Sequence, residues 1–404
     1  MMFRRIFLAV VFMGLLAVCA SAQKKEIAQA KANVKAGKSL AEAESSMRRL
    51  LADSANRDNE KIWIVLFDAV RKQYENVNEQ MYLKQRADTA AFFSAAYRMF
   101  GVLEGLDSIE MRPDSRGNVR LQYRKRHAEY LNALRPNLYN GGLYHMGRKE
   151  YGQAYSLFAA YIDCAYQPLF SGYGYADKDS RMPAAAFYSV YCGYKEPDAA
   201  HTLKYAGQAQ ADTARLDMVY QYVADTYRQQ KDTAHCVEVL QSGFARFPKS
   251  PYFFSHLFDY YFSKNQTGQA MALCDDAIAA DTASTVALFA KSSVLLSQGR
   301  YDECVRLCDK VISADSSFTD AYLNAGLSYY NQAAHIDRNL RHTRENITKM
   351  KALYAKAMPY MQRYRSLAPD EKGKWGVVLY TIYLNLNMGR EFDEVDKLLK
   401  AKQK

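Results

Sequence analysis

From Asp217 onward the chain repeats one arrangement of apolar and polar positions every 34 residues, in blocks that begin at Asp217, Pro251, Thr285 and Thr319. Position 4 of each block is Tyr220, Phe254, Leu288 and Tyr322, and position 11 is Tyr227, Tyr261, Leu295 and Tyr329. Large apolar residues seven apart lie two turns along one helical stripe. In the first three blocks position 20 is Cys236, Ala270 and Cys304, position 24 is Leu240, Cys274 and Cys308, and position 27 is Gly243, Ala277 and Val311. A second helix with mostly small residues at this spacing lets a neighbouring helix approach closely. Turn chemistry separates the two, clearest in Ser297 to Glu303, and each block closes on a stop and cap such as Phe247-Pro248, Ala280-Asp281-Thr282 or Ala314-Asp315-Ser316. The pattern predicts tandem helical hairpins, each of which buries its apolar face only by stacking on its neighbours.

On Tyr322-x-x-Ala325-Gly326-x-x-Tyr329, Gly299-Arg300-Tyr301-Asp302-Glu303-Cys304 and Phe247-Pro248, the chain resembles tetratricopeptide-repeat proteins. The resemblance implies an all-α fold, a right-handed superhelical solenoid of antiparallel helix hairpins. Weaker copies begin near Arg135 (Leu138, Gly142, Tyr151, Ala154, Phe158, Tyr161) and at Lys24 (Ile27, Ala30, Val34, Leu40, Ala43, Met47), and Trp375, Gly389 and Val395 suggest a terminal hairpin. The resemblance also implies that the first helix of each repeat lines a concave groove through positions 2, 5, 6, 9, 12 and 13. Here those positions include Gln221, Asp225 and Arg228, then Tyr252, Ser255, His256, Asp259 and Phe262, then Phe289 and Ser293, and finally Leu323, Asn324 and Tyr330. Repeats that grip a terminal carboxylate carry lysine, arginine and asparagine at positions 2, 5, 6 and 9. Only Asn324 meets that requirement in these blocks, so an apolar or mixed peptide suits the groove better.

The expected organisation is a leader at 1–22, divergent hairpins at 23–134, and a repeat array at 135–404 with a loop at 166–183 and an insertion near 333–352. Within the first part, 24–52 reads as a hairpin whose second helix opens on a capping box, Ser39-Leu40-Ala41-Glu42. Residues 60–75 and 88–107 read as longer helices, 112–118 as a loop, and 119–134 as a helix bearing Arg120, Arg124, Lys125 and Arg126. A second basic run, Arg338, Arg341, Arg344, Lys349 and Lys351, falls in the insertion, and both runs read as solvated helix faces. The 166–183 loop holds Gly172, Gly174 and several tyrosines, and a loop of that length in a compact array is often functional.

Arg4-Arg5, an apolar stretch from Ile6 to Val18 and Ala20-Ser21-Ala22 compose a secretory signal peptide. Export to the periplasm of a Gram-negative cell is the expectation. Lipidation at Cys19 is disfavoured by the bulky Val18, and no other apolar run reaches the length of a membrane span. Removing Arg4 and Arg5 from the 54 basic residues, against 43 acidic ones, leaves a net charge of about +9, ordinary for a soluble helical protein. Four of the six mature cysteines occupy repeat positions that face a neighbouring helix, where a thiol acts as a small hydrophobe; Cys164 and Cys192 stand outside the regular blocks, and whether they pair stays open.

Catalytic motifs are lacking. There is no GxxxxGK[ST] loop, HExxH, GxSxG or CxxC, Gly172-Tyr173-Gly174 is followed by Asp177 where a dinucleotide fingerprint wants glycine, and the His256–Asp259 pair is a spacing that arises freely. No catalytic residue, cofactor, metal or nucleic-acid partner is expected. Asp followed by Ser or Thr and a small or apolar residue recurs at Ser54, Thr89, Ser108, Thr213, Thr233 and Thr282. Helix capping explains this, and the tripeptide also resembles an O-glycosylation acceptor of exported proteins in one phylum of Gram-negative anaerobes. The sequence thus reads as a non-enzymatic periplasmic interaction scaffold that holds a protein or peptide segment. A binder of envelope or dietary glycans, using a tyrosine-rich groove, is the alternative.

Overall fold

In the computed structural model, residues 22–400 are described except 340 and 342, and among them there are helices and turns but no strand. The expected leader, apart from Ala22, and Cys19 lie outside the described residues. Two compact units are present, one ending at Asp232 and one beginning at Thr233.

The first unit contains α1 (22–36), α2 (Leu40–Ala52), α3 (Glu60–Tyr82), α4 (Thr89–Glu110), α5 (Arg124–Gly147) and α6 (Tyr151–Asp163). It continues through α7 (Tyr175–Lys178), α8 (Met182–Lys195), α9 (Ala199–Lys204), α10 (Ala206–Ala209) and α11 (Leu216–Gln229). The second unit has α12 (Thr233–Arg246), α13 (Pro251–Ser263), α14 (Thr267–Ala280), α15 (Thr285–Ser297), α16 (Tyr301–Ala314), α17 (Thr319–Asn339), α18 (Arg344–Leu367), α19 (Lys372–Asn385) and α20 (Gly389–Lys400). Within the second unit each helix from α12 to α20 packs on the next, and α13, α15, α17 and α19 also touch in succession; in the first unit α2 to α6 pack in sequence and α6 packs on α8. This is a solenoid of antiparallel hairpins.

The 34-residue step survives in the helix starts: Thr233, Thr267 and Tyr301 open the second helices, and Pro251, Thr285 and Thr319 the first. Its physical basis is visible at the joints. Ala270, Cys274, Cys304, Cys308 and Val311 are fully or almost fully buried, and a Cβ on Gly243 would sit 2.5 Å from the Phe253 ring. Position 15 of the first three blocks takes a left-handed conformation: Lys231 (φ 60), Asn265 (φ 55) and Gly299 (φ 73). The amides that follow fold back onto the helix end, Gly299 N–H to the Leu296 carbonyl at 3.1 Å and Arg300 N–H to that of Leu295 at 2.9 Å. That paired closure satisfies carbonyls the helix leaves open. Lys149 (φ 62) and Asn387 (φ 56) end α5 and α19 in the same way. The fourth block has Ala333 at position 15, the helix does not stop, and the insertion lengthens both α17 and α18.

Four expectations need correction. Ser39 has φ 47 and its side chain makes no cap bond, so the capping box does not form; Gly37 (φ 63) and Ser39 turn the chain instead. The helix expected at 119–134 starts at Arg124 and runs through Pro136 to Gly147, so residue 134 lies inside α5. Arg124 is half-buried rather than solvated: it grips the buried Asp107 with two bonds of 2.7 and 2.8 Å. The expected loop at 166–183 is largely ordered into 3₁₀ turns at Cys164–Tyr166 and Pro168–Phe170, then α7 and the start of α8. All six described cysteines are buried and unbridged, and burial pushes the Cys164 and Cys192 thiols up to about 12.

Candidate binding faces

The first helices of the second unit carry most of the expected groove residues, and they differ in how far those residues reach solvent. On α13, Phe254, Phe258 and Phe262 form a stacked file with ring centroids 6.0 and 5.4 Å apart. The file begins in the core at Phe254 and ends at Phe262, which is 39% exposed. Asp259 beside it is exposed; Tyr252 and Ser255 are half-buried, as is His256, whose ring meets Tyr252 edge-on at 4.5 Å. This i, i+4, i+8 register places one aromatic edge and one carboxylate on the same helix.

On α15, Phe289 tilts against Phe318 at 5.0 Å, and the Ser293 hydroxyl donates to the Phe289 carbonyl at 3.3 Å. Both are half-buried, whereas Val286 is 43% exposed. On α17 the expected face closes. Leu323 joins the C-terminal core, Tyr330 tilts against Tyr354 at 5.8 Å, and Asn324 is buried, its amide donating to Ser293 at 2.9 Å and Ser292 at 3.2 Å. Asn324 therefore bridges successive first helices. In the first unit, α11 carries Gln221, half-buried, and an Asp225–Arg228 ion pair of 2.6 Å, with the Tyr194 hydroxyl donating to Asp225 at 3.1 Å.

Two features escaped the sequence. One is Arg135, 5% exposed on α5, whose guanidinium lies between the rings of Tyr161 and Tyr175 at 3.7 and 3.9 Å. It donates to Asp179, to the Tyr161 carbonyl at 3.0 Å and to the Cys164 sulfur at 3.2 Å. Asp179 also accepts from the Tyr161 hydroxyl at 2.6 Å; burial acts to raise its pKa, but the bonds from Tyr161 and Arg135 outweigh it and hold the carboxyl below its usual range. The tyrosine-rich loop is thereby fastened to α5 and α6. An arginine at a block start carries no sequence signal for this, because its partners lie 26 to 47 residues away.

The other is a cleft of about 580 Å³ between α4 and α6, whose lining includes Gly101, Ser156, Ala159 and Ala160. It lies on second helices of the hairpins, away from the first-helix face. Among the Asp-Ser/Thr positions, Ser54, Thr213, Thr233 and Thr282 are exposed and Thr89 half-buried. Ser108 lies inside α4 with its hydroxyl donated to the Gly105 carbonyl at 2.8 Å. Asp53, Asp88 and Asp281 cap or turn the backbone beside their Ser or Thr, as the capping reading expects.

No protein-family model and no curated protein matches the chain. Among solved structures, the C-terminal part of a TPR repeat-containing protein from Cytophaga hutchinsonii is similar at 12% identity over 64% of this chain and 93% of that one, with a TM-score of 0.42. A tetratricopeptide repeat protein from Parabacteroides merdae aligns at 12% identity over 54% and 92%, with a TM-score of 0.32. YrrB, a TPR protein with an unusual peptide-binding site, aligns at 17% identity over 49% and 95%, with a TM-score of 0.34. The chain's own geometry, with its 34-residue step, the left-handed residue at position 15 and the small-residue seam, is that of stacked helix hairpins.

Proposed function

We propose that the chain is a non-enzymatic periplasmic scaffold whose first-helix face holds a segment of a partner protein. The observation that carries this is the α13 file, which runs from buried Phe254 to exposed Phe262 with Asp259 beside it. A rigid aromatic edge on a helix fixed from behind loses little entropy when a partner covers it, and Tyr252 and His256 add adaptable contacts. Asp259 favours a segment that pairs an apolar side chain with a basic one. The glycan alternative uses a tyrosine-rich groove; in the tyrosine-rich loop Tyr175 is buried against Arg135 and Tyr166 is exposed. Carbohydrate attached to the chain is a separate matter, for which the exposed Ser54, Thr213, Thr233 and Thr282 are the best placed acceptors.

The test uses the mature chain as bait in envelope extract of its native host. A stoichiometric protein partner is expected, and it should be lost with a Tyr252→Ala/Asp259→Ala double variant that melts like the parent. A response on a glycan array with no protein partner overturns the proposal. Intact mass decides the attachment question: a value equal to the bare chain from Gln23 removes it.

A further inference from the structure

The α4–α6 cleft is independent of the α13 face. Its walls are aromatic, with Trp63, Tyr97 and Tyr155 among the lining residues, and its charged lining groups are Arg48, Arg98, Glu104 and Asp163. Three of these four are already engaged. Arg48 and Arg98 both reach Glu44, at 2.9 and 3.2 Å, and Arg98 also donates to Ser94 and Gln73. Asp163 accepts from the Lys204 ammonium at 2.9 Å.

Glu104 differs from the others. It is half-buried on α4, one turn beyond Gly101, and has no hydrogen-bond or ion-pair partner among the described residues. A carboxylate that has lost water without gaining a partner is costly to keep charged. Burial, helped by the neighbouring charge of Asp163, pushes its pKa up to about 7. Neither arginine relieves it, although Arg48 on α2 and Arg98 on α4 line the same cleft; the other groups nearby are the Cys164 thiol, which feels the Glu104 charge, and Lys204 on α9, which is bonded to Asp163.

We propose that this cleft is a binding site for an organic cation, an ammonium or guanidinium group that takes Glu104 as its counter-ion while its methylene chain lies against the aromatic wall. Aromatic faces favour organic cations over hydrated metal ions, and a single carboxylate is a poor cage for the latter. Gly101 in the lining leaves room for an unbranched chain, since a Cβ built there meets nothing within 4 Å.

Calorimetric titration of the mature chain with 1,5-diaminopentane, and separately with N-acetyl-lysine amide, tests this. The first arm represents a free amine and the second a lysine side chain. Binding is expected for at least one of them, with affinity falling about tenfold between pH 8 and pH 6 as Glu104 takes up a proton. At pH 7 binding should release protons, read as a dependence of the heat on the buffer's ionisation enthalpy. Glu104→Gln should lose at least tenfold in affinity. Gly101→Leu, which adds bulk to the lining and leaves Glu104 in place, should do the same, so the idea remains testable if one variant folds poorly. No heat with either amine, an affinity independent of pH, or parental binding by a folded variant overturns the proposal.

Discussion

In the unit ending at Asp232, the joints between helices carry charge: Arg135 is buried between two tyrosines, Arg124 holds Asp107, and Arg98 reaches across to Glu44. In the unit beginning at Thr233 the corresponding joints are Ala270, Cys274, Cys304, Cys308 and Val311, all at or below 5% exposure and none of them charged. Small residues permit close, regular stacking and therefore a constant step. Buried ion pairs fix one geometry at one place, through long side chains that reach partners far away in sequence, and the step becomes irregular. Regularity and charge are thus alternatives at a helical joint. The irregular unit is also where a cleft with an unpartnered carboxyl remains.

The largest expected effect comes from removing the charged joint. Arg135→Met should cost about 3–5 kcal/mol, because Asp179 loses its counter-ion inside the unit. Denaturant unfolding would measure it, and limited proteolysis between 166 and 181 should accelerate. If the variant is as stable as the parent, the charged joint is decorative and the contrast fails. At the small-residue joint, Ala270→Arg should cost about 3 kcal/mol or somewhat more through overpacking and an unpaired charge. Unchanged thermal stability would show that the repeat register is misplaced. Gly243→Ala, whose new methyl would meet Phe253 at 2.5 Å, should cost about 2 kcal/mol at the same kind of joint.

The dependence on pH should separate the units further. Glu104 holds its proton to about pH 7 when folded and to about 4.5 when unfolded, so its contribution is present at low pH and lost as pH rises across that window. His127 has the opposite sense. Burial, with help from Arg126, lowers its pKa from 6.5 to about 4, so stability is lost as pH falls between those values. Glu104→Gln should flatten the first slope and His127→Phe the second, in midpoints read at each pH. Persistence of either slope would assign it to other groups. The smallest effects belong to position 15. Gly299→Ala should cost about 1 kcal/mol, and Lys231→Gly should gain up to about 1 kcal/mol, since both positions are left-handed. Equal responses at the two sites would mean that the turn geometry differs between them.

Much of the regular half was legible because its signal is local. Residues seven apart on a stripe, and small residues at positions 20, 24 and 27, recur in phase, and the structure buries most of them. Gly299 announced its turn, whereas Lys231, Lys149 and Asn265 adopt the same left-handed state with no glycine to mark it. The proposed binding face was legible as a set of positions but not as a surface. Tyr252, Asp259 and Phe262 reach its accessible part, while Asn324 turns inward to Ser292 and Ser293. Position numbering cannot tell a side chain that faces solvent from one that bridges two helices, because that depends on what the neighbouring repeat offers.

The sequence by itself determined the hairpin, its length and its stacking, because helix periodicity, small-residue seams and turn chemistry act within about one repeat. Only the tertiary structure decided where Arg135 would be buried, that α5 would run through Pro136, and that Glu104 would stand alone in a cleft. Those outcomes depend on partners brought together from other helices. A charge seeks the nearest partner in space, and spacing along the chain does not encode which one that will be.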